Sequence, residues 1–112
     1  MYFNIREIEA AELASWLDDE AGHFKIIDVR EMNEINAGTI QGARPMPLAT
    51  VPLKMNELDK DKTLVMICLS GARSAQACAF LQQKGFDNVV NLRGGMYAWA
   101  GAGKPIGLPM AS

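Results

Sequence analysis

The chain is poor in the residues that most binding and catalytic chemistries need. Of its 112 residues one is histidine, His23, and two are cysteine, Cys68 and Cys78. His23 follows Gly22 with no acidic or cysteine companion at a ligand spacing, so it reads as a solvated loop residue and no metal site is expected. The two thiols form a poor disulfide pair. Cys78 falls on the helix expected after Cys68, where each residue adds about 1.5 Å of rise, whereas a disulfide needs Cα atoms within about 7 Å. Cys78 therefore reads as packing, with a resolving thiol as the other reading. A basic excess is also missing. The formal net charge is −2, which argues against a general nucleic-acid or membrane-surface binder. No apolar run approaches a membrane span, and Met1 to Glu7 lacks the charged start and long apolar stretch of a signal peptide. A cytoplasmic, reducing compartment is the expectation, with neither nucleic acid nor membrane as partner.

What is present suffices for one packed core: 49% of the residues are apolar, and 1–112 reads as a single domain without repeats or linkers. Ile5 to Ile8 is a strand candidate, followed by a helix from Glu9 to Glu20 with Leu13, Trp16 and Leu17 at core spacing. Trp16 has a partner surface as its second reading. Lys25 to Val29 is the second strand, Glu31 to Ala37 a short helix closed by Gly38, and Ile40 to Met46 leads into a third strand bounded by Pro45 and Pro47. Leu53 to Leu58 reads as a short helix and Asp59-Lys60-Asp61-Lys62 as a solvated turn. Asn88 to Leu92 is the last strand. Gly94-Gly95 reads as a tight turn rather than an anion cradle, Met96 to Ala100 as a helix, and 101–112 as a loosely ordered tail. Strands alternating with helices imply an α/β fold, a parallel sheet covered on both faces.

The informative stretch is Thr63 to Ser74. Leu64 to Ile67 is a buried strand, and Ser74 to Lys84 an Ala/Gln/Leu-rich helix stopped by Gly85. Cys68 thus stands at the carboxyl end of a strand, where the next helix aims its free N–H groups and partial positive charge. That field and the Arg73 guanidinium both favour the thiolate. A lone cysteine ending a strand is ordinarily an inert small hydrophobe. Here Gly71 lets the backbone curl through positive φ, and Ser70, Arg73 and Ser74 supply polar groups where a structural connection would tolerate apolar filler. Cys68 is the candidate nucleophile.

Cys68-Leu69-Ser70-Gly71-Ala72-Arg73-Ser74 resembles the active-site loop of rhodanese-family sulfurtransferases. Three further stretches agree with it in order: Asp28-Val29-Arg30-Glu31, Gly38-Thr39-Ile40-Gln41-Gly42-Ala43 and Gly94-Gly95-Met96-Tyr97-Ala98-Trp99. The resemblance covers nearly the whole chain and implies a three-layer rhodanese fold with five parallel strands. It also implies thiosulfate sulfurtransferase activity without a cofactor: a sulfane sulfur passes from thiosulfate or a persulfide to cyanide or a thiol, through a Cys68 persulfide cradled by Leu69, Ser70, Gly71, Ala72, Arg73 and Ser74. Asp28 and Arg30 match an aspartate and arginine that look mostly structural in the family, organising the site from behind.

Two positions depart from the pattern. Thr39 stands where many relatives have histidine; its hydroxyl replaces one of that residue's hydrogen bonds if the position serves architecture, and the chain does without the group if it serves chemistry. Leu69 stands where many thiosulfate users carry a basic residue. An apolar side chain there favours a thiol-bearing protein of a sulfur relay over a small dianion. Two other classes stay open: a non-catalytic sulfur-carrier or interaction module, and a phosphatase or arsenate reductase. Tyrosine phosphatases have a C-x5-R-[ST] loop, and this one is C-x4-R-S, too short to ring a phosphate.

Overall fold

The computed structural model describes residues 4–19 and 22–110. Strands β1 (Arg6–Ile8), β2 (Phe24–Asp28), β3 (Arg44–Pro45), β4 (Thr63–Ile67) and β5 (Val89–Leu92) alternate with helices α1 (Ala10–Asp18), α2 (Met32–Ala37), α3 (Val51–Lys54), α4 (Ala72–Gln83) and α5 (Gly95–Gly101). All strand pairs are parallel, in the order β1-β5-β4-β2-β3. β4 is thus the middle strand, and its period of two sends side chains to both faces. Leu64 and Met66 join the core under α4, with Ala77, Cys78, Leu81 and Phe86, while Val65 and Ile67 join the core under α1 and α5, with Leu13, Met96 and Trp99. A strand buried on both sides needs a continuous apolar run, which is why Leu64 to Ile67 has one.

Several boundaries differ from those read in the sequence, each for a local reason. α4 begins at Ala72, not Ser74, because Gly71 takes φ 101° as its N-cap, a conformation open to glycine. The helix expected from Leu53 begins with a 3-10 turn at Leu48–Thr50 and continues as α3, since Pro52 lies in the first turn, where no N–H is needed. Pro45 lies inside β3 rather than beside it; β3 is an edge strand, where a missing donor is tolerated. At α1 the expected core face is only partly used. Leu13 is buried, but the last contact falls to Trp16, whose ring centre lies 5.6 Å from that of Phe24, and Leu17 is left 38% exposed. Glu20, the expected end of that helix, lies outside the described residues.

The expected loose tail is instead hydrogen-bonded into the domain as far as Met110. Thr39 and Gly107 exchange backbone hydrogen bonds at 3.1 and 2.7 Å, Gly42 N–H donates to Leu108, and Met110 N–H donates to Ala43. The buried Trp99 indole donates to the Pro105 carbonyl at 2.8 Å, so one ring both fills the α5 face and anchors the tail. Among the described residues no helix is long and apolar enough to cross a membrane. Trp99→Ala should lower the unfolding free energy by about 3–5 kcal/mol, measured by urea denaturation; a loss under about 1 kcal/mol would contradict this packing.

Candidate active site

Cys68 follows β4 directly, and α4 starts four residues later at Ala72. The chain must therefore reverse within Leu69-Ser70-Gly71, and the tight curl turns the helix start toward the strand end. The first four N–H groups of a helix have no partner inside it. Here the N–H groups of Ser70, Gly71 and Ser74 face the sulfur, and Ala75 N–H makes the first bond inside the helix, to the Gly71 carbonyl. Gly71 N–H donates to Cys68 Sγ at 3.1 Å. Ser74 Oγ lies 3.3 Å from the same sulfur. Burial pushes the Cys68 thiol up, but the Ser74 hydroxyl and the N–H groups of Ser74, Gly71 and Ser70 outweigh it and leave the thiol below its ordinary value. The residue is only 1% exposed, with its sulfur turned to these donors.

α5 braces the loop from the other side. Met96 N–H donates to the Cys68 carbonyl at 2.8 Å and Tyr97 N–H to the Leu69 carbonyl at 3.0 Å. A Cβ at Gly95 would stand 2.7 Å from the Leu69 carbonyl carbon, so only glycine allows this approach. The Gly94-Gly95 turn thus spends the N–H groups that follow it on the loop backbone. Leu69 is half-buried and packs against the α1/α5 core.

Arg73 does not reach back to the thiolate as its position in the loop suggested. Its Nη1 and Nη2 fork onto the Glu34 carboxylate of α2, at 2.8 and 3.1 Å. The hydrogen bond from Arg73 is the main force holding Glu34 down, at about 2. The sulfur is still felt by Arg73, whose pKa is raised chiefly by Glu34 and further by the charge of Cys68.

Asp28 and Arg30 are buried together at the end of β2. Arg30 Nη2 donates to Asp28 Oδ2 at 2.8 Å and to the Gly38 carbonyl at 2.7 Å. Thr39 Oγ1 donates to Asp28 Oδ2 at 2.7 Å. The pair therefore fastens α2 and the segment after it to the sheet beside Cys68, and Thr39 serves that architecture. Neither Arg30 nor Asp28 touches the sulfur in the hydrogen bonds observed.

Cys78, fully buried on α4, is pushed up to about 12 by burial, then by the charges of Glu7 and Cys68. It stays protonated at neutral pH, and both cysteines are free thiols. His23 packs edge-on against Trp16, with ring centres 5.7 Å apart. A groove of about 930 Å³ lies away from Cys68, lined by Met32, Arg44, Pro47 and Met110 among others.

Two polar residues that stand behind the sulfur's donors were missed in the sequence. Asn91, in β5, is 1% exposed. Its Oδ1 accepts a short hydrogen bond from Ser74 Oγ. Its Nδ2 donates to Glu7 Oε2 at 3.0 Å and to the Gly71 carbonyl at 3.1 Å. The available signal was one amide inside the apolar run Val89-Val90-Asn91-Leu92, since a buried polar group must find partners. Glu7 carried no such signal, as it lies far away in sequence and meets Asn91 only because β1 pairs with β5.

A family model described as Rhodanese-like domain matches residues 9–102. The chain is 43% identical over 105 residues to a protein of Allochromatium vinosum named "Sulfurtransferase", covering 94% of this chain and 97% of that one. Among solved structures, a rhodanese-related protein from Thermoplasma volcanium superposes with a TM-score of 0.83 at 35% identity, covering 92% of this chain and 98% of that one. A rhodanese-like domain protein from Staphylococcus aureus does so with a TM-score of 0.79, also at 35% identity, covering 85% and 91%.

The Arg73–Glu34 pair gives a pH test. The folded chain holds Glu34 at about 2 against an ordinary 4.5, so on acidification the unfolded chain takes up the proton first. The stabilisation is complete above 4.5 and is lost as pH falls through about 2. The difference in thermal midpoint between wild type and Glu34→Gln should shrink across that window. A difference that stays constant with pH would show that the pair does not hold Glu34 down.

Proposed function

This chain belongs to the rhodanese-like family, and we propose that it transfers sulfane sulfur through a persulfide on Cys68. The observation that carries the reading is the Cys68 sulfur itself, sitting at the start of α4 with Gly71 N–H at 3.1 Å and the Ser74 hydroxyl at 3.3 Å. The Gly71 N–H, fixed by the backbone, favours an anionic sulfur without needing to reorganise during the reaction. The name of the Allochromatium relative supports the same chemistry.

In the first half-reaction the Cys68 thiolate attacks the outer sulfur of thiosulfate. A new S–S bond forms to Sγ, the bond to the sulfonate sulfur breaks, and sulfite leaves with that electron pair. The covalent intermediate divides one hard transfer into two easier ones. Its outer sulfur extends about 2 Å beyond Sγ and lies within the curl of Leu69, Ser70, Gly71, Ala72 and Arg73, whose N–H groups hold its charge. In the second half-reaction the persulfide anion takes up a proton from water, and an acceptor thiolate then attacks its outer sulfur. The S–S bond breaks, its electron pair returns to Sγ, and the acceptor leaves as a persulfide. Cyanide in the same role leaves as thiocyanate.

Arg73 assists from a distance: forked onto Glu34, it sets a positive field near the loop rather than clamping an anion. That arrangement, with only four residues between Cys68 and Arg73, speaks against phosphate ester hydrolysis, which needs a guanidinium free to grip the phosphate. Half-buried Leu69 and the exposed Tyr97 beside it favour a thiol-bearing relay protein as the physiological acceptor, with thiosulfate and cyanide as the reference pair. The cytoplasm, where such thiols are kept reduced, is the proposed setting.

Incubation with thiosulfate followed by intact-mass measurement should add one sulfur atom to the wild type and to Cys78→Ser, and none to Cys68→Ser. Added cyanide should remove the sulfur. Loading that survives Cys68→Ser would overturn the assignment of the nucleophile. No loading from thiosulfate or a low-molecular-weight persulfide would favour a non-catalytic module, and phosphate release from an aryl phosphate would favour the phosphatase reading.

A further inference from the structure

The Ser74 hydroxyl has one proton and two neighbours that accept it. One is Asn91 Oδ1, at short range; the other is Cys68 Sγ at 3.3 Å. The Asn91 amide is held in one orientation, because its Nδ2 lies 3.0 Å from a Glu7 carboxylate oxygen and 3.1 Å from the Gly71 carbonyl. A flipped amide would turn its oxygen onto both of these acceptors. Oδ1 therefore always faces Ser74. Ser74 is 0% and Asn91 1% exposed, and a buried group left unpaired is costly.

Resting on the sulfur-transfer reading above, we propose that Asn91 is a positioning residue that makes the Ser74 hydroxyl a two-position donor. The hydroxyl turns to Asn91 Oδ1 while Cys68 Sγ is uncharged, as a thiol or as the inner sulfur of a persulfide. It turns to Sγ when that sulfur is anionic, before loading and again as the S–S bond breaks in the second half-reaction. The hydroxyl thus follows the charge on Sγ and keeps a partner in both positions. Asn91 is the competing acceptor: it holds the donor when the sulfur does not need it, and thereby sets how strongly the thiolate is favoured.

Other charged and titratable groups lie around the same site. Arg73 on α4 feels its charge while paired with Glu34 on α2. Cys78 on α4 stays protonated. Glu7 on β1 stands behind Asn91 and is itself paired with Arg93. Glu31, before α2, acts on Arg73. Each of these acts whether or not Ser74 carries a hydroxyl, which is the basis of the test.

The Cys68 pKa is measured, without any sulfur donor, from the pH dependence of iodoacetamide alkylation followed on the Cys68 peptide. The proteins are wild type, Asn91→Leu, Ser74→Ala and the double variant. With its competitor gone the hydroxyl stays on the sulfur, so Asn91→Leu should lower the Cys68 pKa by roughly half a unit. Ser74→Ala should raise it, and in that background the effect of Asn91→Leu should vanish. Ser74→Thr keeps the hydroxyl and should keep the response to Asn91→Leu. An equal shift with and without the hydroxyl would show that Asn91 acts through Gly71 or the field of Glu7, and would overturn the proposal. So would an upward shift confined to the Ser74 background. If circular dichroism shows that Asn91→Leu does not fold, Asn91→Ala takes its place in the same cycle with the same expected signs. Failure of thiosulfate loading would remove the sulfur-transfer reading and leave the outcome of this cycle untouched.

Discussion

The structure turns on the contact between one sulfur atom and the unpaired N–H groups at the start of a helix. Those groups exist in every α-helix and are ordinarily met by a capping side chain or by water. In this chain α4 has no side-chain cap, and Cys68 Sγ receives the N–H of Gly71, the residue that opens the helix. A thiolate fills that role better than a thiol. The preference that stabilises the helix start therefore also lowers the thiol pKa, against the opposing effect of burial.

The rest of the domain holds that contact in register. β4 is fixed from both faces because its alternate residues enter two separate cores. α5 closes on the loop backbone at Cys68 and Leu69, at a distance only Gly95 permits. Asp28, Arg30 and Thr39 fasten the neighbouring strand end, and Glu34 takes Arg73. Buried ion pairs are poor sources of stability. Asp28–Arg30 is better understood as a geometric tie, its remaining hydrogen-bonding capacity spent on Thr39 and the Gly38 carbonyl.

The fold class was legible because parallel strands buried on both faces leave runs such as Leu64 to Ile67, and because four motifs lie in one order along the chain. The position of Cys68 at the end of the middle strand was legible from its place between such a run and a helix. Three things were not. The start of α4 depends on the φ of Gly71, which no side-chain pattern records. The ties of the tail to residues 39–43 are mostly backbone hydrogen bonds, indifferent to sequence. The set Glu7, Ser74 and Asn91 is assembled by the pairing of β1 with β5 and by the packing of α4 on β5. Arg73 was assigned to the sulfur because it lies in the loop, yet a guanidinium takes the strongest planar partner in reach, and that is the Glu34 carboxylate.

The most direct test of the cradle is a crystal structure of the protein after treatment with thiosulfate. The outer sulfur should be bonded to Cys68 Sγ and lie within hydrogen-bonding distance of at least two N–H groups of the 69–73 backbone. An added sulfur directed instead into the core beside Met66 and Ala77, or a Cys68 left unmodified while Cys78 carries the sulfur, would contradict the account.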